Sequence, residues 1–397
     1  MPAHKPVRIM LQSRRSLMAF CCVMACTVGI LVGQQTLVAR QKRSDTASDS
    51  PDSILVSYSY FEKDKIQEDN FRFFLSVGMG IDSIYQAPKN TKFVLVQNGP
   101  HCAPCSMLFD QMLEYNQDAT DALAPHATAV FLGRPNTALL LRTENTGMDI
   151  AAHNITIMHL NQQGMLQKFD YFILLNSSVK GPFYPSWMPS NWQWTKAFTE
   201  RLTSSVKAVG SSLVCLPALD LGGPGPRLES WAFAVDNVGM DVLIQNGLFQ
   251  IRSCKVCPDG IVVQGEYALS RILLDHDFNI ATLLSMYPRD LDWRVHQHWN
   301  CNNNVHPSRH GTYDHITMHP FETVFVKSSW QVGEPFTSHY SKWFLEHGRG
   351  ASNTQGFLDE RMYHYAIGPE AILPHEEALG YYKIARYDMQ NSDVQQV

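Results

Sequence analysis

The chain has 397 residues, of which 45% are hydrophobic and 17% are charged, and its formal net charge is -5. This composition is typical of a folded globular protein, and the length accommodates one large domain or two smaller ones. The acidic balance and the lack of a long basic run argue against nucleic-acid binding as the main activity.

The N-terminal part departs from this average. Residues 16–39 carry no charged side chain and are about long enough to cross a bilayer. We predict an uncleaved signal anchor there after a cytoplasmic tail at 1–15, because the small residues of a cleavage site are poorly placed; a cleaved signal peptide is the alternative. The polar segment 40–53 predicts a flexible stem. This order predicts a type II membrane protein of the Golgi or another secretory membrane, with a lumenal domain at 54–387 and a disordered tail at 388–397.

From residue 54 onward, short runs rich in β-branched and aromatic residues alternate with amphipathic stretches. The sequence predicts strands at 54–61, 92–99, 128–133, 169–176 and 211–218. Helices are predicted around 68–77, 104–117, 148–160, 191–206, 227–244 and 265–278. This alternation predicts an α/β fold with a mostly parallel central sheet covered by helices on both faces.

One predicted strand ends in a polar loop. Residues 169–175 are apolar on both faces, which favours a central strand. Asn176, Ser177 and Ser178 follow directly, at the edge where open α/β sheets bind their ligands. We predict a ligand-binding loop there; a tight turn that is merely polar is the alternative.

Six of the nine cysteines lie beyond the predicted anchor and can pair in an oxidising lumen. Cys102 with Cys105, and Cys254 with Cys257, are the disulfide candidates, although connectivity cannot be deduced. Because the first pair follows a strand and precedes a helix, a lumenal thiol-disulfide oxidoreductase is an alternative function. The aromatic residue expected before the first cysteine of such a motif is absent. Structural zinc is a further alternative for these pairs.

Four successive patches resemble one known family. They are LRTENTGMDIAAH (141–153), FDYFILLNSSVKGPF (169–183), the segment from Leu228 through QGEYALSRILL, and HPFETVFVK (319–327). Together they are similar to the rhamnan-synthesis-protein-F-like glycosyltransferases and their uncharacterised eukaryotic relatives, over roughly residues 54–330. The resemblance implies a GT-A-type fold, a nucleotide-sugar donor and a glycan or glycoprotein acceptor.

The resemblance also implies a donor-binding role for the first patch. Arg142 would contact the diphosphate bidentately, Gly147 would allow close backbone approach, and Asp149 would hold a ribose or sugar hydroxyl. Asn145 belongs to the same predicted site. The structural alternatives are a helix cap for Asp149 and a turn residue for Asn145.

The loop Asn176-Ser177-Ser178 occupies the place where metal-dependent relatives carry an Asp-x-Asp pair. It contains no carboxylate, and hard divalent cations prefer charged oxygen ligands, so we predict that Mn²⁺ or Mg²⁺ is not required. This departure also leaves a catalytically inactive carbohydrate-binding domain as an alternative function. Literal D-x-D triplets follow no buried strand and are predicted to be surface or helix-end carboxylates; they are Asp275/Asp277 and Asp290/Asp292.

Three further residues complete the predicted site. Glu266 opens a predicted helix and is the candidate general base, with helix-start electrostatics as the alternative. His319 lies in a segment, 296–319, that holds six of the sixteen histidines in spacings that match no zinc site. We predict that His319 contacts the diphosphate, with Lys327 behind it. Asn154 is a glycosylation candidate, and a glycan on the second sequon, at Asn176, would contradict the site.

Overall fold

The computed structural model describes residues 53–348, except for 110–126, 132–133, 135, 186, 190, 310, 314–315, 331 and 334–335. The predicted tail, the anchor, the stem up to its last residue and the C-terminal segment lie outside the described residues. The described residues belong to one unit, Asp52–Val397. No helix within them is long and apolar enough to cross a membrane.

Eight strands form one sheet in the order β10-β6-β9-β5-β1-β2-β4-β3, and β7 and β8 form a separate pair. Of the eight, β3 and β9 are antiparallel to their neighbours and the rest pair in parallel. The predicted α/β fold with a mostly parallel sheet is therefore confirmed. The strands are β1 Ile54–Phe61, β2 Thr91–Asn98, β3 Thr128–Phe131, β4 Thr137–Arg142, β5 Tyr171–Asn176, β6 Val206–Gly210, β7 Leu213–Leu216, β8 Gly225–Leu228, β9 Ala232–Asp236 and β10 Asn279–Thr282.

Helices cover both faces of this sheet. Alternate residues of β1 enter different cores: Val56 and Tyr58 pack with Phe71 on one face, whereas Leu55 packs with Ile155 on the other. Each fully buried large apolar side chain stabilises the fold by about 1.5–3 kcal/mol. The α-helices are Lys65–Phe73, Ser106–Phe109, Met148–Gln162, Lys196–Thr199, Asn237–Gln245, Ala268–Asp275, Pro320–Thr323 and Phe336–Gly348; π-helical turns span Phe74–Gly78 and Val262–Glu266.

Two helix predictions were wrong in part, and one predicted strand lies outside the central sheet. The predicted helix at 227–244 is helical only from Asn237 onward, because β8 ends at Leu228 and Ala232–Asp236 form β9. β9 is buried between β5 and β6, where an apolar run needs no alternation. The stretch 191–206 forms only the turn Lys196–Thr199, with Phe198 buried below it. The predicted strand at 211–218 exists as β7, but it pairs with β8 outside the central sheet.

Three disulfides connect the cysteines of the described domain. Two of these disulfides, Cys102–Cys105 and Cys254–Cys257, each close a short loop. The third, Cys215–Cys301, ties β7 to the histidine-rich segment across 86 residues, a pairing that spacing did not indicate. Closing so long a loop restricts the unfolded chain most.

Candidate functional site

The sheet reverses its strand order at β1. The parallel strands β4, β2, β1 and β5 run in the order third, second, first, fourth along the chain. In doubly wound sheets the crevice beyond the carboxyl ends of the strands at such a reversal is where ligands bind. The loops that follow β1 and β5 are therefore the expected walls of a site.

A cleft of about 160 Å³ lies at this point. It brings together three segments that are distant in sequence: the end of β1, the start of the helix Met148–Gln162, and the loop after β5. Five predicted donor-binding residues line it, together with five that the sequence did not indicate. The lining residues are Ser59, Phe61, Lys63, Gln67, Asn145, Met148, Asp149, Asn176, Ser177 and Ser178.

The Asn176 side chain links the loop after β5 to the facing helix. Its Nδ2 donates to Asp149 Oδ2 at 2.8 Å, while its Oδ1 accepts from Ser178 N at 3.0 Å and from Ser178 Oγ at 2.5 Å. The amide is thus fixed on both sides. Its oxygen accepts hydrogen bonds from Ser178, and its nitrogen donates to the carboxylate of Asp149. These residues do not form the oxygen-ligand set that a divalent cation needs.

Ser177 joins two strand ends. Its Oγ donates to Phe61 O and accepts from Phe61 N, both at 3.2 Å, and its own N donates to Ser59 O at 2.9 Å. Its hydroxyl is consumed by these bonds and the residue is buried. Within the predicted loop, Ser177 therefore shapes the wall of the cleft.

Arg142 lies behind the cleft and does not line it. Its Nη1 donates to Asn98 Oδ1 at 2.5 Å and its Nη2 to Thr146 O at 2.8 Å. Burial lowers the pKa of Arg142, and the nearby charge of Glu144 opposes that effect. The guanidinium holds the loop from β4 to Gly147, which places Asn145 at the cleft; the structure does not bring Arg142 to a position for bidentate contact with a ligand.

Arg142→Lys should therefore destabilise the fold without abolishing ligand binding. Lysine keeps the charge but cannot reach both Asn98 and Thr146, so we expect a loss of about 1–2 kcal/mol in the free energy of unfolding. Urea denaturation measures this loss. A variant of unchanged stability that no longer binds a ligand would instead assign Arg142 to the site.

Gly147 begins the helix in a left-handed conformation, with φ of 78°. A Cβ there would lie 2.5 Å from Ala151 Cβ, so only glycine fits this helix start. The helix places Asp149 at the cleft with 9% exposure. Burial raises the pKa of Asp149, whereas hydrogen bonds from Asn176 and from the first backbone N–H groups, and the charge of Lys327, lower it.

Glu266 ends the π-helical turn Val262–Glu266 and is not among the residues that line the cleft. Burial, followed by the charge of Asp149, raises the pKa of Glu266 to about 7; Lys327 and Lys255 oppose the rise. A carboxyl group that titrates near neutrality is suited to accept a proton at physiological pH.

The positive charge of Lys327 lowers the pKa values of three carboxyl groups, those of Asp149, Glu229 and Glu266. Its segment is anchored beside the loop after β5: Val326 pairs with Lys180 through bonds of 2.9 and 3.0 Å, and Ser329 N donates to Ser178 O at 3.2 Å.

Sequence reasoning missed Glu229 and Lys63. Glu229 follows β8 within the segment predicted as helix, which concealed its place at the end of a strand. Lys63 is the exposed cation of the cleft. The sequence could have indicated Lys63, because this residue follows β1, the strand that was predicted with the correct bounds.

His319 is not among the cleft residues. Its Nδ1 accepts from Phe321 N at 3.2 Å, and its ring packs against Phe321, Phe336 and Tyr340. It caps the short helix Pro320–Thr323, and burial lowers its pKa. This environment accounts for His319 structurally, without a ligand.

The D-x-D carboxylates lie at the surface. Asp275, Asp277 and Asp290 are exposed, and Asp292 pairs with Arg294 at 2.8 Å. Asn154 lies half-buried on the helix Met148–Gln162. Within the part of the chain that the structure describes, no group of three or more His, Cys, Asp or Glu side chains is placed to hold a metal ion.

No protein-family model matches the chain, and no curated protein matches it. Among solved structures, it matches an apo structure of the bifunctional glycosyltransferase WbbM at 9% identity and a TM-score of 0.27. The match covers 60% of this chain and 40% of that one, so this chain spans less than half of that protein. A likeness this slight carries no argument about fold or function.

Proposed function

We propose that the protein is a glycosyltransferase with a GT-A-type fold, which moves a sugar from a nucleotide-sugar donor to a glycan or glycoprotein acceptor. One observation carries the proposal. At the order reversal of the sheet, a single cleft gathers an oriented amide, a lysine and the buried carboxylate of Asp149, whose charge, together with burial, raises the pKa of Glu266 to about 7.

The donor diphosphate needs positive charge and N–H or O–H donors as its bond to the sugar breaks. Lys63 offers the exposed ammonium group in the cleft, and Ser178 and Asn145 offer polar groups beside it. Lys63 thus takes the part that the family resemblance assigned to Arg142. Lys327, which does not line the cleft, adds a second positive charge that acts on Asp149.

Glu266 is the proposed general base. It accepts the proton of an acceptor hydroxyl while that oxygen bonds to the anomeric carbon, and the electron pair of the broken sugar–phosphate bond leaves with the nucleoside diphosphate. Asp149, oriented by Asn176, holds a hydroxyl of the donor. The transfer consumes one donor and one acceptor and needs no redox partner.

Secretory-membrane tethering through residues 16–39 belongs to the same proposal. It is supported by the uncharged run of the sequence and by three disulfides, which persist in oxidising compartments. Mass spectrometry of the secreted-pathway protein should find any N-glycan at Asn154 and none at Asn176, whose Nδ2 is bonded to Asp149.

Thermal-shift assays with UDP, GDP, CMP and dTDP sugars test the donor site. A ligand that binds only the native state raises the melting temperature by mass action. We expect one nucleotide class to do so, and Lys63→Met to weaken its affinity about tenfold through loss of one charged contact. Lys89→Met, an exposed lysine before β2 at the opposite sheet edge, is the matched control.

Two results would contradict the proposal. One is the absence of stabilisation by every sugar nucleotide. The other is an equal effect of both lysine variants. If a donor binds but no nucleoside diphosphate is released with any acceptor, the carbohydrate-binding alternative holds instead.

A further inference from the structure

An exposed tryptophan lies close to two cations at the rim of the cleft, next to Ser178. Trp330 has 43% of its surface exposed. Lys327 Nζ lies 3.6 Å from its ring centroid, and Arg309 Cζ lies 6.0 Å from it. Ser329, next to Trp330, donates to Ser178 O, so this rim adjoins the cleft wall.

The turn that presents Arg309 is held rigidly from below. Glu229 Oε1 lies 3.0 Å from His306 Nδ1 and accepts from Ser308 Oγ at 2.6 Å. Thr312 Oγ1 closes the turn at 2.7 Å from both His306 O and Arg309 O. The side chains of His306 and Ser308 thus bond to Glu229, whereas Arg309, the residue after Ser308, is exposed.

The two cations differ in the charges near them. The charge of Lys327 lowers the pKa values of Asp149, Glu229 and Glu266, although Lys327 forms no ion pair with a carboxylate of the described residues. Arg309 forms no ion pair with any carboxylate of the described residues. Trp330 therefore offers a flat aromatic surface beside the guanidinium of Arg309, which can donate two parallel hydrogen bonds to one anion.

We propose that Trp330 and Arg309 form an acceptor subsite for an acidic saccharide. The exposed part of the Trp330 ring packs against the apolar C–H face of a sugar ring, and Arg309 binds a carboxylate, sulfate or phosphate group on it. This inference rests on the proposed transfer, since it puts the acceptor beside Lys327 and Ser329, next to the cleft residue Ser178.

Isothermal titration of the full chain in detergent tests the subsite with matched disaccharides. One ends in glucose, one in glucuronate, one in glucose sulfate and one in glucose phosphate. At low ionic strength we expect an acidic disaccharide to bind about tenfold more tightly than the neutral one, the effect of one charged hydrogen-bonded contact. The carboxylate and ester arms identify which anion the site accepts.

Variants separate the two residues. Arg309→Gln should remove the preference for the acidic ligand, Arg309→Lys should restore part of it, and Trp330→Ala should weaken neutral and acidic ligands alike. The controls are Arg289→Gln and Trp187→Ala, exposed residues that do not line the cleft. Equal binding of neutral and acidic ligands, or equal effects of the Arg309 and Arg289 variants, would overturn the inference.

Donor binding distinguishes this inference from the proposed function. Thermal shifts by the sugar nucleotide should be unchanged in the Arg309 variants. If the donor binds but the protein does not prefer acidic disaccharides, only the proposed acceptor subsite is contradicted. No donor binding in the wild type defeats the transferase proposal, and acidic-ligand selectivity at Arg309 would then stand as carbohydrate binding only.

Discussion

Glu266→Gln will lower the turnover number of sugar transfer by about 100-fold to 10,000-fold, the range that a positioned general base contributes. Glutamine keeps the size and the buried position but cannot accept a proton. Donor affinity should change little, because the proposed donor contacts come from Lys63, Asn145 and Ser178, which line the cleft, whereas Glu266 does not. Steady-state kinetics with a saturating donor measures both quantities.

The turnover number should change with pH in a defined direction. Burial and the Asp149 charge raise the pKa of Glu266 to about 7, and a base works only when deprotonated. The turnover number of the wild type should therefore fall as the pH drops below about 7. Lys327→Met removes a charge that lowers this pKa. In this variant the acidic limb of the pH profile, where the turnover number falls, should therefore move to higher pH.

A matched control makes the result interpretable. Glu200→Gln changes an exposed glutamate outside the cleft and should leave both the turnover number and its pH profile as they are. If Glu266→Gln retains full activity, or if Lys327→Met leaves the limb in place, Glu266 is not the base. Its raised pKa would then be only a consequence of burial.

The central strands and the loop after β5 could be predicted because their signals are local. β1 is an eight-residue run of β-branched, aromatic and small residues, and its predicted bounds match the structure. The strand argument predicted a ligand-binding loop at Asn176, and the family resemblance put Asn145 and Asp149 at the same site; all three line one cleft.

What failed depends on distant parts of the chain. Nothing near Arg142 indicates that Asn98, 44 residues earlier, takes its guanidinium. Glu229 acquires its place only when β9 inserts between β5 and β6 and a segment 77 residues away folds over it. Such tertiary contacts override local patterns, which is why a buried strand was mistaken for helix at 227–244.

Glu229→Gln should cost the folded protein about 3 kcal/mol at neutral pH. Burial alone would raise the pKa of Glu229, but the His306 hydrogen bond and charge, Lys327 and the Ser308 hydrogen bond lower it from 4.5 to about 2. That depression corresponds to about 3 kcal/mol of differential stabilisation of the charged form. Urea unfolding with the disulfides intact measures it.

The pH window follows from the same shift. A carboxylate whose pKa is lower in the folded state stabilises the fold above its unfolded pKa, and this stability is lost as the pH falls through the folded value. The wild type should thus lose stability between pH 4.5 and about 2, whereas Glu229→Gln should lack this component of the loss. Glu200→Gln, at the surface, should behave as the wild type.

A double-mutant cycle isolates the buried network from general damage. Ser308→Ala alone removes one charged hydrogen bond, worth about 1.5–3 kcal/mol. Because Ser308 Oγ donates to Glu229 Oε1 at 2.6 Å, the two substitutions should be less than additive in the double variant. Strict additivity would mean that Glu229 acts independently of the turn that carries Arg309, and the rigid presentation of that arginine at the rim would lose its physical basis.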